Sequence, residues 1–358
     1  MTTEQDLRFE GLPKNQTVGV IGGGFVGKAV ARGFLEHAKE VKVYDVDPAR
    51  ATHGHLETWL SDFVFICVPT PAGPDGKPNC SIVTDAISAF EKLLPAWDAT
   101  KLKPAVVIRS TVRPGFTAYM QRRLVTAARR NSQIPVGVVH SPEFLTARCA
   151  HTDFATPARN IIGRVPLRDF TEVTKADSPG DGGYNGQEAE SASAQAAERL
   201  RKLYIHRFPG VPVQVMTSTE SELTKIALNS FFAIKVDFFN TLKTICDAAN
   251  ANFDAVLGGM LSDGRVAHAH TKAPGPDGLP GFGGTCLPKD LLNLFTFAQK
   301  MNVRADVLFA AHAHNIFLRG PFDASLPRPV INPPACMVGG EAKAKETTEQ
   351  NRLVAGTI

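Results

Sequence analysis

Short, mostly apolar runs recur through the first half of the chain, at 17–21, 41–44, 63–68, 106–109 and 136–139, and Ile161 with Ile162 marks one more. Polar or proline-containing turns bound each run, and helical patterns such as 28–37 alternate with them. Apolar runs separated by helices predict a parallel sheet wrapped by helices. The stretch 177–193 is rich in Gly, Ser, Asp and Glu and reads as an exposed loop before a helix over 194–204. The period then changes. From 220 to about 250 there is neither Gly nor Pro, and apolar residues fall at 223, 226, 227, 231, 234, 238, 242, 245 and 249. That spacing predicts one helix of about 45 Å, long enough to link two lobes or to build a dimer face. A glycine- and proline-rich stretch, 258–284, leads to a last helical region over 291–317. Beyond it Pro321, Pro327, Pro329, Pro333 and Pro334 interrupt any regular element, and the closing residues are polar. The expected division is a sheet domain over 15–210, a helical domain over 211–318 and a proline-rich flexible tail over 319–358.

Composition narrows the function classes. Of 358 residues, 43% are hydrophobic and 21% charged, which suits a folded chain of about two domains and excludes a disordered one. Lys plus Arg exceed Asp plus Glu by only 39 to 35, so bulk charge does not drive binding to nucleic acid. No apolar run approaches the roughly 20 residues of a membrane span. The first residues are polar and acidic, so no membrane association, signal peptide or transit peptide is expected, and the location expected is cytoplasmic. Six cysteines, at 67, 80, 149, 246, 286 and 336, show no regular spacing and read as reduced thiols. His268 with His270 and His312 with His314 have no accompanying cysteine or carboxylate cluster, so no metal site is expected.

Directly after the first run comes Gly-Gly-Gly-Phe-Val-Gly, placing Gly22, Gly24 and Gly27 in the G-x-G-x-x-G pattern with Phe25 and Val26 between them. The first glycine permits the tight turn, the second lets a pyrophosphate approach the backbone, and the third lets helix and strand pack closely. The helix N-terminus offers unpaired N–H groups to the phosphates. Asp45 ends the second run, where a carboxylate bonds the adenosine ribose hydroxyls and repels a 2′-phosphate. The pattern therefore favours NAD over NADP. The plainer alternative is a structural glycine turn with a surface aspartate. The fold class expected is α/β: an N-terminal Rossmann domain with a parallel sheet, followed by an all-α central domain built on the long helix.

A second glycine-rich segment, Gly-Phe-Gly-Gly-Thr-Cys-Leu-Pro-Lys-Asp, carries Cys286. Glycines there bring backbone close to a ligand, and a thiolate so placed can attack a carbonyl carbon. Taken alone, Cys286 reads equally as a buried, inert thiol.

Together the segments VGVIGGGFVG, FICVPTP, RSTVRPG, SPEFL, ELTKIALNSFFAIKVDFFN and GFGGTCLPKD resemble the UDP-glucose/GDP-mannose dehydrogenase family over about residues 15–315. The resemblance implies NAD-dependent oxidation of a nucleotide-sugar C6 alcohol to the carboxylate in two hydride transfers, with UDP-glucose the first substrate to expect. It implies that Cys286 is the nucleophile, passing through a thiohemiacetal and a thioester. Lys225 and Asn229 match the family's helix pair, and their i, i+4 spacing sets an ammonium and an amide on one face, suited to an oxyanion. Asp290 matches a carboxylate that positions water with Thr111, and Glu143 an acid that serves as general base. Pro69, Thr70, Ser110 and Thr111 match segments lining the nicotinamide side of the cofactor. Phe144, Leu145, Phe282 and Gly283 match substrate-lining segments, and Arg265 resembles an arginine that reaches a neighbouring subunit's substrate. The resemblance and the long helix both imply a homodimer.

The chain departs from the family pattern twice. Thr146 and Ala147 follow Glu-Phe-Leu where a second glutamate is usual, which removes one carboxylate from the site. After about Phe317 only some forty residues remain, and they carry no pattern of the family's third, nucleotide-binding domain. Two other readings follow from these departures: a catalytically altered or idle NAD-binding relative, and a two-domain hydroxyacid dehydrogenase, which has no need of Cys286.

Overall fold

The computed structural model describes residues 15–73, 78–94, 104–131, 136–146, 148–167 and 186–319. Seven strands form a single sheet in the order β2-β1-β3-β4-β5-β6-β7. They are β1 (Thr17–Ile21), β2 (Glu40–Tyr44), β3 (Phe63–Ile66), β4 (Ala105–Ile108), β5 (Val138–His140), β6 (Asn160–Arg164) and β7 (Val213–Thr217). Every neighbouring pair is parallel except β5 with β6. The apolar runs at 17–21, 41–44, 63–68, 106–109 and 136–139 thus all carry strands. The sheet is mostly rather than wholly parallel, because the chain doubles back through the short helix α5 (Ala150–Ala155) into β6. The strand β7 lies C-terminal to residue 210, so the sheet extends to Thr217, past the division read from the sequence.

Alternation explains why these strands are apolar on both faces. Val18, Val20, Phe63, Phe65 and Val107 point to one side, where α1 (Phe25–Phe34) and α6 (Gly186–Arg207) deliver Phe34, Leu200 and Tyr204. Ile21, Val64, Ile66, Val106 and Ile108 point to the other, against Phe90 of α3 (Ser81–Glu91) and Leu124 of α4 (Phe116–Arg130). Each fully buried side chain of this size stabilises the fold by about 1.5–3 kcal/mol.

Two sequence expectations are corrected by tertiary contacts. Residues 186–193 are helix rather than loop. Ser193 Oγ donates to Val138 O at 2.7 Å and accepts from Val165 N at 2.9 Å, and a side chain at Gly137 would strike Ala192 O at 2.1 Å. Small polar residues are therefore what a helix lying this close to a strand requires, although their composition reads as a loop. Residues 177–185, like the tail beyond 319, lie outside the described residues. The region 291–317 is two helices, α9 (Leu287–Lys300) and α10 (Asp306–Arg319), because Asn302 takes a left-handed φ of 56° and Val303 N caps Ala298 O at 2.8 Å.

The long helix α7 (Ser218–Ala248) matches its predicted span within two residues at each end and is the axis of the helical region. Thr217 and Glu220 form a reciprocal capping box at its start. The short helix α8 (Phe253–Leu261) follows, and α9 and α10 pack on α7 through Ala233, Val236, Phe282, Leu291 and Ala311. Its buried face nonetheless includes Glu222, Lys225, Asn229 and Asn240, while Phe231, Phe238 and Ile245 are more than half exposed. Glu222 ties α7 to the sheet domain, its Oε2 accepting from Gly115 N at 2.6 Å and its Oε1 from Thr117 N at 2.8 Å.

Candidate active site

The sheet order places β1 between β2 and β3, so a crevice opens above the carboxyl ends of β1 and β3, the position at which open α/β sheets bind ligands. Gly22, with φ of 101°, turns the chain out of β1. A Cβ at Gly27 would lie 1.8 Å from Gly22 O, so helix and turn meet only through glycine. Gly24 is different. It is the N-cap of α1 without a side-chain cap, and a Cβ there meets nothing within 4 Å. The helix therefore presents uncapped N–H groups to open space, with Phe25 half exposed beside them and Val26 behind. Asp45 closes the other side: its Oδ2 accepts from Gly23 N at 2.6 Å and its Oδ1 from Asp47 N at 2.8 Å. An uncapped helix N-terminus with a fixed carboxylate beside it fits the pyrophosphate and ribose of a dinucleotide.

The crevice continues along the next strand ends. Thr70 Oγ1 donates to Thr111 O at 2.7 Å, and Ser110 Oγ to Val68 O at 2.6 Å, stitching the loop after β3 to the loop after β4. Pro69 stands exposed between them.

After β5 the chain runs His140-Ser141-Pro142-Glu143, and Glu143 meets α7. Lys225 Nζ lies 2.8 Å from Glu143 Oε1, and both residues are buried. Burial works to raise the Glu143 carboxyl. The charge and hydrogen bond of Lys225, the N–H of Leu145 at 2.7 Å and the charge of Arg109 outweigh it and hold the group below the usual carboxylate range. The Phe144 ring lies beneath the cations of both Lys225, at 5.5 Å, and Arg159, at 4.4 Å.

One turn along α7, Asn229 Nδ2 donates to Asp290 Oδ2 at 2.6 Å, while Lys289 Nζ holds Asp290 Oδ1 at 2.5 Å. Asp290 is fully buried in the first turn of α9. Cys286 is the N-cap of that helix, exposed to solvent, and Asp290 N donates to its carbonyl at 2.9 Å. The i, i+4 relation sets the thiol and the buried carboxylate on one face of α9. Lys225 with Glu143, and Asn229 with Asp290, thus form two buried pairs one turn apart on α7, and Cys286 stands one turn before Asp290 on α9.

Other sequence-derived residues lie differently. The Phe282 ring is buried in the helical core, with its N–H and carbonyl both bonded to Asn315. Gly283 admits the Arg319 guanidinium, which would lie 2.5 Å from a Cβ there. Arg265 is exposed and paired with Asp263, apart from the Lys225–Asp290 group. Sequence reasoning missed Lys289, Glu222 and Arg109. All three stood inside quoted segments, but nothing local marks a lysine as the partner of the next residue's carboxylate. Among the described residues no three His, Cys, Asp or Glu side chains are arranged to hold a metal, and no helix is long and apolar enough to cross a membrane.

Two models of the UDP-glucose/GDP-mannose dehydrogenase family match the chain, that of the NAD binding domain over residues 50–175 and that of the central domain over residues 219–316. The chain belongs to this family. NAD is its cofactor. It is 29% identical over 330 residues to a UDP-glucose 6-dehydrogenase of Pseudomonas aeruginosa, covering 83% of this chain and 64% of that one. It is 32% identical over 240 residues to the UDP-glucose 6-dehydrogenase of Rhizobium meliloti, covering 67% and 46%. The chain therefore spans about half to two thirds of these curated relatives. Among solved structures, a UDP-glucose dehydrogenase from Pyrobaculum islandicum superposes with a TM-score of 0.68 at 25% identity, over 86% of this chain and 70% of that one. A 3-hydroxyisobutyrate dehydrogenase of Mycobacterium tuberculosis shares the fold at a TM-score of 0.57 and 14% identity, over 87% of this chain and 96% of that one.

Proposed function

We propose that the chain catalyses NAD-dependent oxidation of a nucleotide-sugar C6 alcohol to the carboxylate, with UDP-glucose the substrate to test first and Cys286 the covalent nucleophile. The observation that carries this reading is the Asn229–Asp290 hydrogen bond, which joins the oxyanion-binding helix to the helix that bears the thiol. A hydroxyacid dehydrogenase has no use for a thiol in that place.

NAD, when bound, accepts the hydride of each oxidation. Lys225, held by Glu143, keeps a cation beside the oxygen that loses its proton as the alcohol becomes the aldehyde. Asn229 gives one amide hydrogen to Asp290 and has a second for the same oxygen. The Cys286 sulfur adds to the aldehyde carbon, forming the thiohemiacetal, and the second oxidation leaves a thioester. Water, positioned by Asp290 and Thr111, breaks the C–S bond, and Glu143 takes its proton. The thiol returns and the carboxylate leaves. The balance is one alcohol, one water and two NAD giving one carboxylate, two NADH and three protons.

NADH formed per acid from UDP-glucose, GDP-mannose and related nucleotide sugars tests the reading. Two per acid is expected. Cys286→Ser is expected to stop after the first oxidation, and a serine variant that still forms two NADH per acid contradicts covalent catalysis.

The same reading includes a homodimer built on α7. Phe231, Phe238 and Ile245 recur every seven residues and leave an apolar stripe uncovered by α9 and α10. Such a face gives exposed Arg265 a neighbouring subunit to reach.

A further inference from the structure

A cavity of about 300 Å³ lies behind the Glu143 loop, between that loop and the segment joining α5 to β6. Arg109 and Asn160 line it, as do Phe144 and Arg159. Arg109 is only 6% exposed, yet its hydrogen bonds among the described residues are all to neutral oxygens. Its Nη1 donates to Ser141 O at 3.1 Å, Ser141 Oγ at 3.3 Å and Tyr204 OH at 3.3 Å. Its Nε has no partner. The carboxylate that senses its charge, Glu143, is already neutralised by Lys225 at 2.8 Å. Asn160 is likewise 6% exposed, and its Nδ2 has no partner. Arg159, half-buried, forms no ion pair among the described residues and rests its guanidinium on the Phe144 ring. Asp153 also lines the cavity, but it forms no ion pair with Arg109 or Arg159 among the described residues, and its Oδ2 accepts from Thr146 N at 2.6 Å.

A buried cation without an anion and a buried amide without a partner are both costly to leave unmet. Two such orphans lining the same cavity call for one ligand that accepts from both. The ligand must be anionic to answer a guanidinium. It must have several acceptor oxygens, because the donors come from the end of β4, from the start of β6 and from Arg159 just before it. Exposed Thr146, Thr156 and Ala158 at the rim leave the cavity open to solvent.

We infer that this cavity is a binding site for a phosphate group, held by Arg109, Asn160 and Arg159. It is separate from the glycine turn, and it needs no turnover. The inference is therefore independent of the reaction assigned above. The phosphate reaches the site either as inorganic phosphate or as the phosphate of a nucleotide, and both offer the same oxygens. Because Arg159 and Lys225 both lie over the Phe144 ring, an occupied cavity also adjoins the residues of the proposed active site.

The test is calorimetric titration of the full chain with inorganic phosphate, and separately with UDP, at constant ionic strength in chloride. Binding of one or both at one site per chain is expected. Inorganic phosphate alone binding assigns the site to the free anion. UDP binding that both substitutions below weaken, with inorganic phosphate silent, assigns it to a nucleotide, whereas UDP binding that neither weakens belongs to the substrate site. Asn160→Val, which suits a strand, and Arg159→Ala are each expected to weaken binding at least tenfold. NAD binding by the same variants is expected to stay within twofold, which shows that they fold. Arg109→Met is not needed, since its bonds to Ser141 and Tyr204 serve the fold. Absence of binding by both probes, or binding that neither substitution weakens, overturns the proposal.

Discussion

At the scale of single residues, the molecule stores its polar chemistry in fully buried groups whose partners come from distant segments. His140 ends β5 with its Nδ1 2.8 Å from Ser221 Oγ. Burial, opposed by a hydrogen bond to the Ser110 backbone and reinforced by the charges of Arg109 and Lys225, pushes its pKa down to about 3. The unfolded chain takes up that proton near pH 6.5 and the folded chain does not. The stability contributed by neutral His140 is therefore complete above about pH 6.5 and is lost as pH falls from there toward 3, by about 1.4 kcal/mol per pH unit. Urea denaturation at pH 7.5, 6.0 and 5.0 should show this slope, and His140→Gln should flatten it; an unchanged slope removes the histidine as its source. Asn229 is a second case. Asn229→Leu leaves Asp290 Oδ2 buried without its donor, so unfolding free energy should fall by about 1–3 kcal/mol and NADH formation should be lost. An unchanged urea midpoint would mean that the hydrogen bond does not hold α7 to α9.

At the scale of elements, the second and third glycines of the nucleotide turn have separable roles. A methyl group at Gly27 would overlap Gly22 O, so Gly27→Ala distorts the junction of β1 and α1. A methyl at Gly24 meets no protein atom and stands in front of the helix N–H groups. Gly24→Ala is expected to unfold within about 0.5 kcal/mol of the parent while NAD binds at least tenfold more weakly by titration calorimetry. Equal loss of stability in both variants would make Gly24 a structural glycine like Gly27.

At the scale of the whole molecule, α7 faces two ways. One side carries Lys225 and Asn229 toward the Glu143 loop and α9, and the other shows Phe231, Phe238 and Ile245 to solvent. The double substitution Phe231→Glu with Phe238→Glu should convert a dimer to a monomer by light scattering, with far-UV circular dichroism unchanged. A parent chain that is already monomeric rejects the dimer.

Much of this was legible in the residue pattern, for reasons that lie in local physics. Strands buried on both faces must be apolar throughout, a tight turn before a helix must be glycine, and a helix of 31 residues must exclude Gly and Pro. Those rules located the sheet, the nucleotide turn and α7, and the segments around Glu143, Lys225 and Cys286 marked the chemistry through resemblance. Tertiary structure alone decided the rest. Residues 186–193 are helix because small side chains let the chain lie on β5, a contact invisible in their own composition. Glu143 is paired with Lys225, and Arg109 lines a cavity without an ion pair to Asp153 in the same wall, because strand ends and helix faces far apart in sequence converge. A local pattern reports which residue types an element can hold. Only the packed fold determines which buried charge meets its counterpart and which is left to meet a ligand.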